Sequence, residues 1–139
     1  MGIEQTFAII KPDAVKAGST GAIITAIEEN GFRIKNLKKV HLTQAQAEGF
    51  YYVHAERGFF PELTAFMSSA PCVVMILEKE GAILAWRDLM GPTNPEKAEA
   101  HTMRKRFGKS IGENATHGSD APETAAFETS YFFSCFERV

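Results

Sequence analysis

The run Cys72 to Leu77, CVVMIL, constrains the fold more than any other stretch, because it is apolar at every position. Successive side chains of a strand point to opposite faces, so a strand with one wet face alternates apolar and polar residues. An uninterrupted apolar run opened by Pro71 is instead a central strand covered on both faces. Two other segments supply strand partners. Thr6 to Ile10, TFAII, is a β-branched and aromatic run cut off by Lys11-Pro12, and it reads as a buried strand. Phe32 to Leu42 alternates at Phe32 and Ile34 and resumes at Val40 and Leu42, which predicts a long strand whose phase slips midway, with Lys35, Lys38 and Lys39 on a solvated face.

Between the strands, helical spacing dominates. Ile23, Ile24 and Ile27 mark a helix that stops at Asn30-Gly31. Thr43 with Gln46 is a capping box, followed by a stripe of Ala47, Phe50, Tyr51 and His54. Gly58 breaks that helix, and Phe59, Phe60, Leu63, Phe66 and Met67 form the next stripe, with Pro61 acceptable in its first turn. Two adjacent phenylalanines cannot both face one core, so one of Phe59 and Phe60 is either a hydrophobic staple, the commoner case, or a stacking surface for a ring ligand. Ala82 to Met90 is a helix ending at Gly91-Pro92, with Trp86 for the core and Arg87 on another side. Ala121 to about Phe133 reads as a last helix, with Tyr131-Phe132-Phe133 open to a strand reading. The order is βαββαβ with additions: an α+β, ferredoxin-like antiparallel sheet with helices on one face and an added long loop from Gly91 to Glu113.

The chain has 139 residues, enough for a single domain, here 1–139, with one core. A hydrophobic fraction of 45% and a formal net charge of −2 exclude the disordered class and any general attraction to nucleic acid, so phosphate recognition must come from a local cluster. The two cysteines, Cys72 and Cys135, fit neither a disulfide framework nor a metal or redox motif, and are expected to be reduced core or near-core residues. There is no charged leader with an apolar stretch and no run of membrane length, which predicts a cytoplasmic protein.

Chemistry concentrates in Asn114 to Asp120, NATHGSD. Gly118 leaves the backbone beside His117 uncrowded, Ser119 adds a hydroxyl, and Asp120 with Glu123 makes a capping box for the helix behind. Imidazole is partly neutral near pH 7 and forms covalent intermediates, so His117 suits nucleophilic attack on phosphorus; a surface turn residue is the commoner role for a histidine in such a loop. Glu128 lies two turns into the following helix and reaches His117 only if the chain before the helix folds back. Lys11 at its strand end, Arg87 and Arg104 keep company as candidate phosphate ligands, each with a plain reading as a solvated charge.

With IKPDAV at Ile10 to Val15, FF at Phe59-Phe60, GPTNP at Gly91 to Pro95, TMR at Thr102 to Arg104 and NATHGSD in that order, the chain resembles the nucleoside diphosphate kinases from Thr6 to about Phe133. The resemblance implies ping-pong transfer of the γ-phosphate of a nucleoside triphosphate, typically ATP, to a nucleoside or deoxynucleoside diphosphate through a phosphohistidine on His117. It implies that Arg87, Thr93 and Arg104 hold phosphates, that Tyr51 sits beside the transferring group, and that Lys11 and Asn114 contact the sugar hydroxyls, with Lys11 also near the phosphates. Phe59 would stack on the base, with Leu63 and Ile111 at its apolar edges, Ile111 standing where valine is common. Ser119 and Glu128 would orient the imidazole. His41, His54 and His101 receive no role. Mg2+ would arrive with the nucleotide rather than in a protein cage, and a homo-oligomer, tetramer or hexamer built from dimers, is expected. Against this stand a nucleotide-binding regulatory or interaction protein on the same fold, which predicts a damaged signature, and nucleic-acid binding through Lys105, Arg106 and Lys38-Lys39, which the net charge opposes as a main role.

Overall fold

The computed structural model describes residues 2–139. Strands β1 (Ile3–Ile10), β2 (Arg33–Val40), β3 (Cys72–Glu80) and β4 (Thr116–Gly118) form one sheet in the order β2-β3-β1-β4. Every neighbouring pair is antiparallel. β3 pairs with β1 from Ile10 opposite Val73 to Ile3 opposite Glu80, and with β2 on its other edge. The apolar run is thus an interior strand.

The two parities of β1 and β3 feed separate cores. Ala8, Ile10, Val73, Met75 and Leu77 pack with Ile23, Ile27, Phe32, Trp86 and Met90 from α2 (Thr20–Glu29), α5 (Ala82–Met90) and the turn before β2. Phe7, Ile9, Cys72, Val74 and Ile76 pack with Ala47, Phe50, Met67 and Phe132 from α3 (Gln44–Phe50), α4 (Phe60–Ser68) and α7 (Pro122–Phe132). Helices therefore cover both faces, not one as the element order alone predicts. The reason is in the strands: with both parities of β1 and β3 buried, a bare face would leave a row of large apolar side chains in water.

The phase slip in β2 is a register shift between Ile34 and Asn36, where Lys35 is the extra residue of a bulge. The basic side of β2 is not simply solvated. Lys38 forms an ion pair with Glu137 at 2.9 Å, and its ammonium lies 4.7 Å from the centre of the Phe133 ring. Asn36 Nδ2 donates to the Glu137 carbonyl at 2.8 Å, so the chain after α7 runs back over β2.

Local chemistry sets the helix ends. The Thr43–Gln46 capping box forms as the sequence predicts, with both reciprocal bonds present. At α7 the expected Asp120 cap is absent. Ala121 occupies the N-cap position, Pro122 takes the first turn, and the Thr124 hydroxyl accepts from the backbone N–H groups of Asp120 and Ala121, both at 3.0 Å. That pairing leaves the Asp120 carboxylate free for another partner. Tyr131 and Phe132 belong to α7, so the strand reading of that stretch falls. Cys72 is buried in β3, and burial pushes its thiol up to about 11. Cys135 is exposed, not near-core, because it follows the end of α7.

The long segment after α5 carries a 3-10 turn at Pro95–Lys97 and a short helix, α6 (Met103–Phe107), before it reaches β4. β4 fits only because Gly118 has no side chain: a Cβ there would lie 2.5 Å from Trp86 Cδ1 and 2.7 Å from Met90 Cε. We expect Gly118→Ala to be destabilised by roughly 1–3 kcal/mol, the usual cost of overpacking. Thermal or urea unfolding against the parent chain checks this, and an unchanged midpoint would show that the indole moves aside freely.

Candidate active site

β4 is three residues long, yet many hydrogen bonds pin it. His117 lies opposite Ile9 of β1. Ser119 N donates to the Phe7 carbonyl at 3.2 Å, and Phe7 N donates to Ser119 Oγ at 3.3 Å. Just before the strand, Ala115 adopts φ 74°, the sole positive value at a non-glycine among the described residues. Such a conformation persists only where the surroundings over-determine it. Here Ala115 N donates to Asp13 Oδ2 at 3.1 Å, and its carbonyl accepts from Lys11 N at 2.8 Å, tying it to the start of α1 (Pro12–Lys16).

The imidazole of His117 is walled by Phe50, Tyr51 and Phe7, with ring centres 5.4, 6.0 and 6.3 Å away and planes steeply inclined. Its Nε2 meets Glu128 Oε1 at 3.1 Å, and the same oxygen accepts from Ser119 Oγ at 2.8 Å. The chain does fold back before α7, which is what brings Glu128 within reach. A carboxylate on Nε2 favours the tautomer with its proton there and the lone pair on Nδ1. Nδ1 has no hydrogen-bond partner among the described residues.

His117 lines a cavity of about 1210 Å³, and so do Lys11, Tyr51, Phe59, Leu63, Arg87, Thr93, Arg104, Ile111 and Asn114. Every nucleotide-contact candidate is therefore on one wall system, while Ser119 and Glu128 stand behind the histidine. Phe59 is half-exposed in the cavity, whereas Phe60 packs toward the core, which separates the two phenylalanines. Ile111 is also exposed in the cavity.

The cations are held in different ways. Lys11 is buried and its Nζ donates to Asn114 Oδ1 at 2.9 Å; the Asn114 amide in turn donates to the Thr93 carbonyl at 3.1 Å. Burial, and then the Arg104 charge, push the Lys11 ammonium down to about 8 against a smaller opposing pull from Asp13. Arg104 donates to the Gly91 carbonyl at 2.9 Å and the Thr116 carbonyl at 3.0 Å, and burial together with Arg87 lowers it to about 10. Arg87 pairs with Asp120 at 2.6 Å. Tyr51 is buried, and burial, with the Glu128 charge next, raises its hydroxyl above its ordinary range, so it stays a proton donor.

Several polar atoms at this site lack partners among the described residues: Tyr51 OH, Arg104 Nε and His54 Nδ1. Such orphans are uncommon away from functional sites. His54 lines the cavity with its ring 5.5 Å from Phe59. The resemblance gives it no role, and its place on the Tyr51 stripe is the only sequence signal for it. Among the described residues no group of three or more His, Cys, Asp or Glu side chains is placed to hold a metal ion. No helix among them is long and apolar enough to cross a membrane.

The chain matches the family model described as nucleoside diphosphate kinase over residues 4–138. It is 64% identical over 137 residues to the nucleoside diphosphate kinase of Trichlorobacter lovleyi, covering 99% of each chain. To that of Geotalea uraniireducens it is 62% identical over 137 residues, covering 99% of this chain and 100% of the relative. The solved Aquifex aeolicus nucleoside diphosphate kinase superposes with a TM-score of 0.97 at 45% identity, covering 99% of this chain and 100% of that one. A halophilic nucleoside diphosphate kinase from Halobacterium salinarum, solved in complex with CDP, superposes at 0.95 with 33% identity, covering 99% and 92%. A likeness of this degree along the whole of its relatives, in sequence and in fold, means that this chain belongs to the nucleoside diphosphate kinase family.

Proposed function

We propose that this chain moves the γ-phosphate of a nucleoside triphosphate, typically ATP, onto a nucleoside or deoxynucleoside diphosphate by way of a phosphohistidine on His117. The observation that carries the reading is the histidine itself: Nε2 is engaged by Glu128, Nδ1 is without a partner among the described residues, and the ring lines a cavity with Lys11, Arg87 and Arg104. The Nδ1 lone pair attacks the γ-phosphorus, the bond to the bridging oxygen breaks, and its electrons leave with the diphosphate. A β-phosphate oxygen of a second diphosphate then attacks the phosphohistidine, and the N–P electrons return to Nδ1. Little covalent chemistry is left for the protein beyond holding the groups in line and offsetting charge.

The remaining residues take the parts the resemblance implies. Arg87, Thr93 and Arg104 hold the phosphates, with the Tyr51 hydroxyl donating beside the transferring group. Lys11 and Asn114 reach the sugar hydroxyls, and Lys11 also adds charge near the phosphates. Phe59 stacks on the base and Leu63 and Ile111 close its edges, an arrangement that tolerates any base because each has a π-face. Nucleoside triphosphates and diphosphates of all bases are thus the substrates, and the CDP bound to the Halobacterium protein supports that reading. Glu62, Asp88, Glu99, Glu113 and Asp120 also line the cavity, but no three His, Cys, Asp or Glu side chains among the described residues are grouped to hold a metal ion, which supports Mg2+ arriving with the nucleotide phosphates. The ion belongs to the substrate as its nucleotide complex.

The whole of 1–139 works as one domain, in the cytoplasm, and nucleic acid is not its main partner. It self-associates as a homo-oligomer built from dimers, tetramer or hexamer; the exposure of Phe136, Ile3 and Leu37 supports burial against another copy.

Three outcomes test this. Incubation with γ-labelled ATP and magnesium, without acceptor, should leave acid-labile, alkali-stable label on His117 that any added diphosphate removes. His117→Ala should take up no label and turn nothing over while still binding nucleotide; turnover in that variant would remove the nucleophile. Nucleotide bound without label in the parent chain would make this a binding protein.

Phe59→Ala should weaken binding of every base alike by roughly 1–3 kcal/mol. A loss confined to one base, read by calorimetry across ADP, GDP, CDP and UDP, would end the stacking account.

Lys11 should trade stability for affinity. Its folded value of about 8 lies below the unfolded 10.5, so the unfolded chain binds the proton more tightly between those values and stability rises with pH through that window. Below it, keeping the ammonium charged costs about 3 kcal/mol. Lys11→Met should therefore unfold at a higher temperature than the parent at pH 7, lose the rise between pH 8 and 10, and bind ADP more weakly.

A further inference from the structure

Of the three candidate phosphate ligands Lys11, Arg87 and Arg104, two have fixed anchors. The Lys11 ammonium is buried on the Asn114 amide, and Arg104 is locked by two backbone carbonyls. Neither anchor carries a full negative charge. Arg87 differs, because its one side-chain hydrogen bond among the described residues is to Asp120 Oδ1, in an ion pair whose side chains are 49% and 75% exposed. Exposed pairs of this kind contribute little to stability, because water screens the attraction and two side chains must be held in one geometry. Asp120 has no competing structural task. Ala121 is the N-cap of α7, Thr124 satisfies the backbone N–H groups there, and Arg87 is the only side-chain partner of the Asp120 carboxylate among the described residues. Both residues line the cavity, and Asp120 follows His117 by three residues.

We propose that Asp120 is a displaceable counter-ion: it holds the Arg87 guanidinium while the cavity is empty, yields it to the polyphosphate, and by its charge opposes nucleotide binding and favours release of the diphosphate. Asp120 is then a positioning residue that acts through Arg87. A ping-pong site must empty between its two halves. Lys11, Arg87 and Arg104 with no carboxylate paired to any of them would grip the product, and a carboxylate that recaptures Arg87 weakens that grip by charge competition rather than by movement of the backbone. A weak, exposed pair suits the exchange, since breaking it costs little and remaking it needs no desolvation.

The inference rests on the phosphate-binding reading above, and the test separates the two. Calorimetric titration of the full chain with ADP and magnesium compares the parent with Asp120→Asn, Asp120→Glu and Arg87→Gln, and with Arg87→Gln carrying Asp120→Asn. Asp120→Asn keeps an oxygen for Arg87 but drops the charge, and should bind ADP roughly three- to tenfold tighter at low salt. The gain should vanish toward 1 M salt, where the screening length is about 3 Å. Asp120→Glu should match the parent, and Asp120→Asn should add nothing once Arg87 is gone. A damaged fold weakens binding and cannot produce this pattern. Equal or weaker ADP binding by Asp120→Asn, or tightening that survives without Arg87, overturns the counter-ion role with the kinase reading intact. A parent chain that binds no ADP overturns both.

Discussion

The left-handed turn at Ala115 is the constraint on which the site depends. A non-glycine residue at φ 74° is held by Asp13 below and the Lys11 backbone above, and that turn delivers the next residues onto the free edge of β1. Its placement fixes the Thr116 carbonyl that anchors Arg104, the His117 carbonyl that accepts from Trp86, and the direction of the imidazole toward Glu128. The segment is short, so it does not stabilise itself. Its geometry is imposed by both cores at once, Trp86 and Met90 from one side and Phe7 and Phe50 from the other.

Burial and charge pull against each other around that segment. Burial lowers Lys11 and Arg104 toward neutrality, and each lowers the affinity of its surroundings for a second cation. A fold selected for stability alone would not collect them. The same region leaves Tyr51 OH, Arg104 Nε and His54 Nδ1 without partners among the described residues, although buried polar groups are normally satisfied. Unspent polar atoms beside Lys11, Arg87 and Arg104 are complementary to a group rich in anionic oxygens. Local rules are broken where the chemistry is proposed, as expected of a functional site.

Much of this was legible in the residues. The continuous apolarity of CVVMIL gives the interior strand, the broken alternation after Phe32 gives the bulge at Lys35, and the Thr43–Gln46 box forms as read. The five motifs also gather in one cavity, although they are spread over more than a hundred residues. What the sequence hid is tertiary in origin. Element order cannot say which face a helix takes, so one-sided cover was expected where the strands need two. Asp120 looks like a cap because Ser, Thr, Asp and Asn usually are, but Arg87 takes its carboxylate and Thr124 serves the backbone instead. Glu128 meets His117 through a reversal of chain that no periodicity encodes, and the partnerless ring nitrogen of His54 shows only in three dimensions.

The contact between Trp86 and β4 has an optical consequence. The chain contains one tryptophan. Its indole is wholly buried, stands edge-on to Phe32 at 6.1 Å, and donates from Nε1 to the carbonyl of His117 at 3.2 Å. All tryptophan emission from this protein therefore comes from a single fluorophore hydrogen-bonded to the backbone of the residue proposed to carry the phosphoryl group. Unfolding, tilting of β4 or a change of charge on the imidazole all act on that one emitter, and the protein carries its own native spectroscopic reporter at the site.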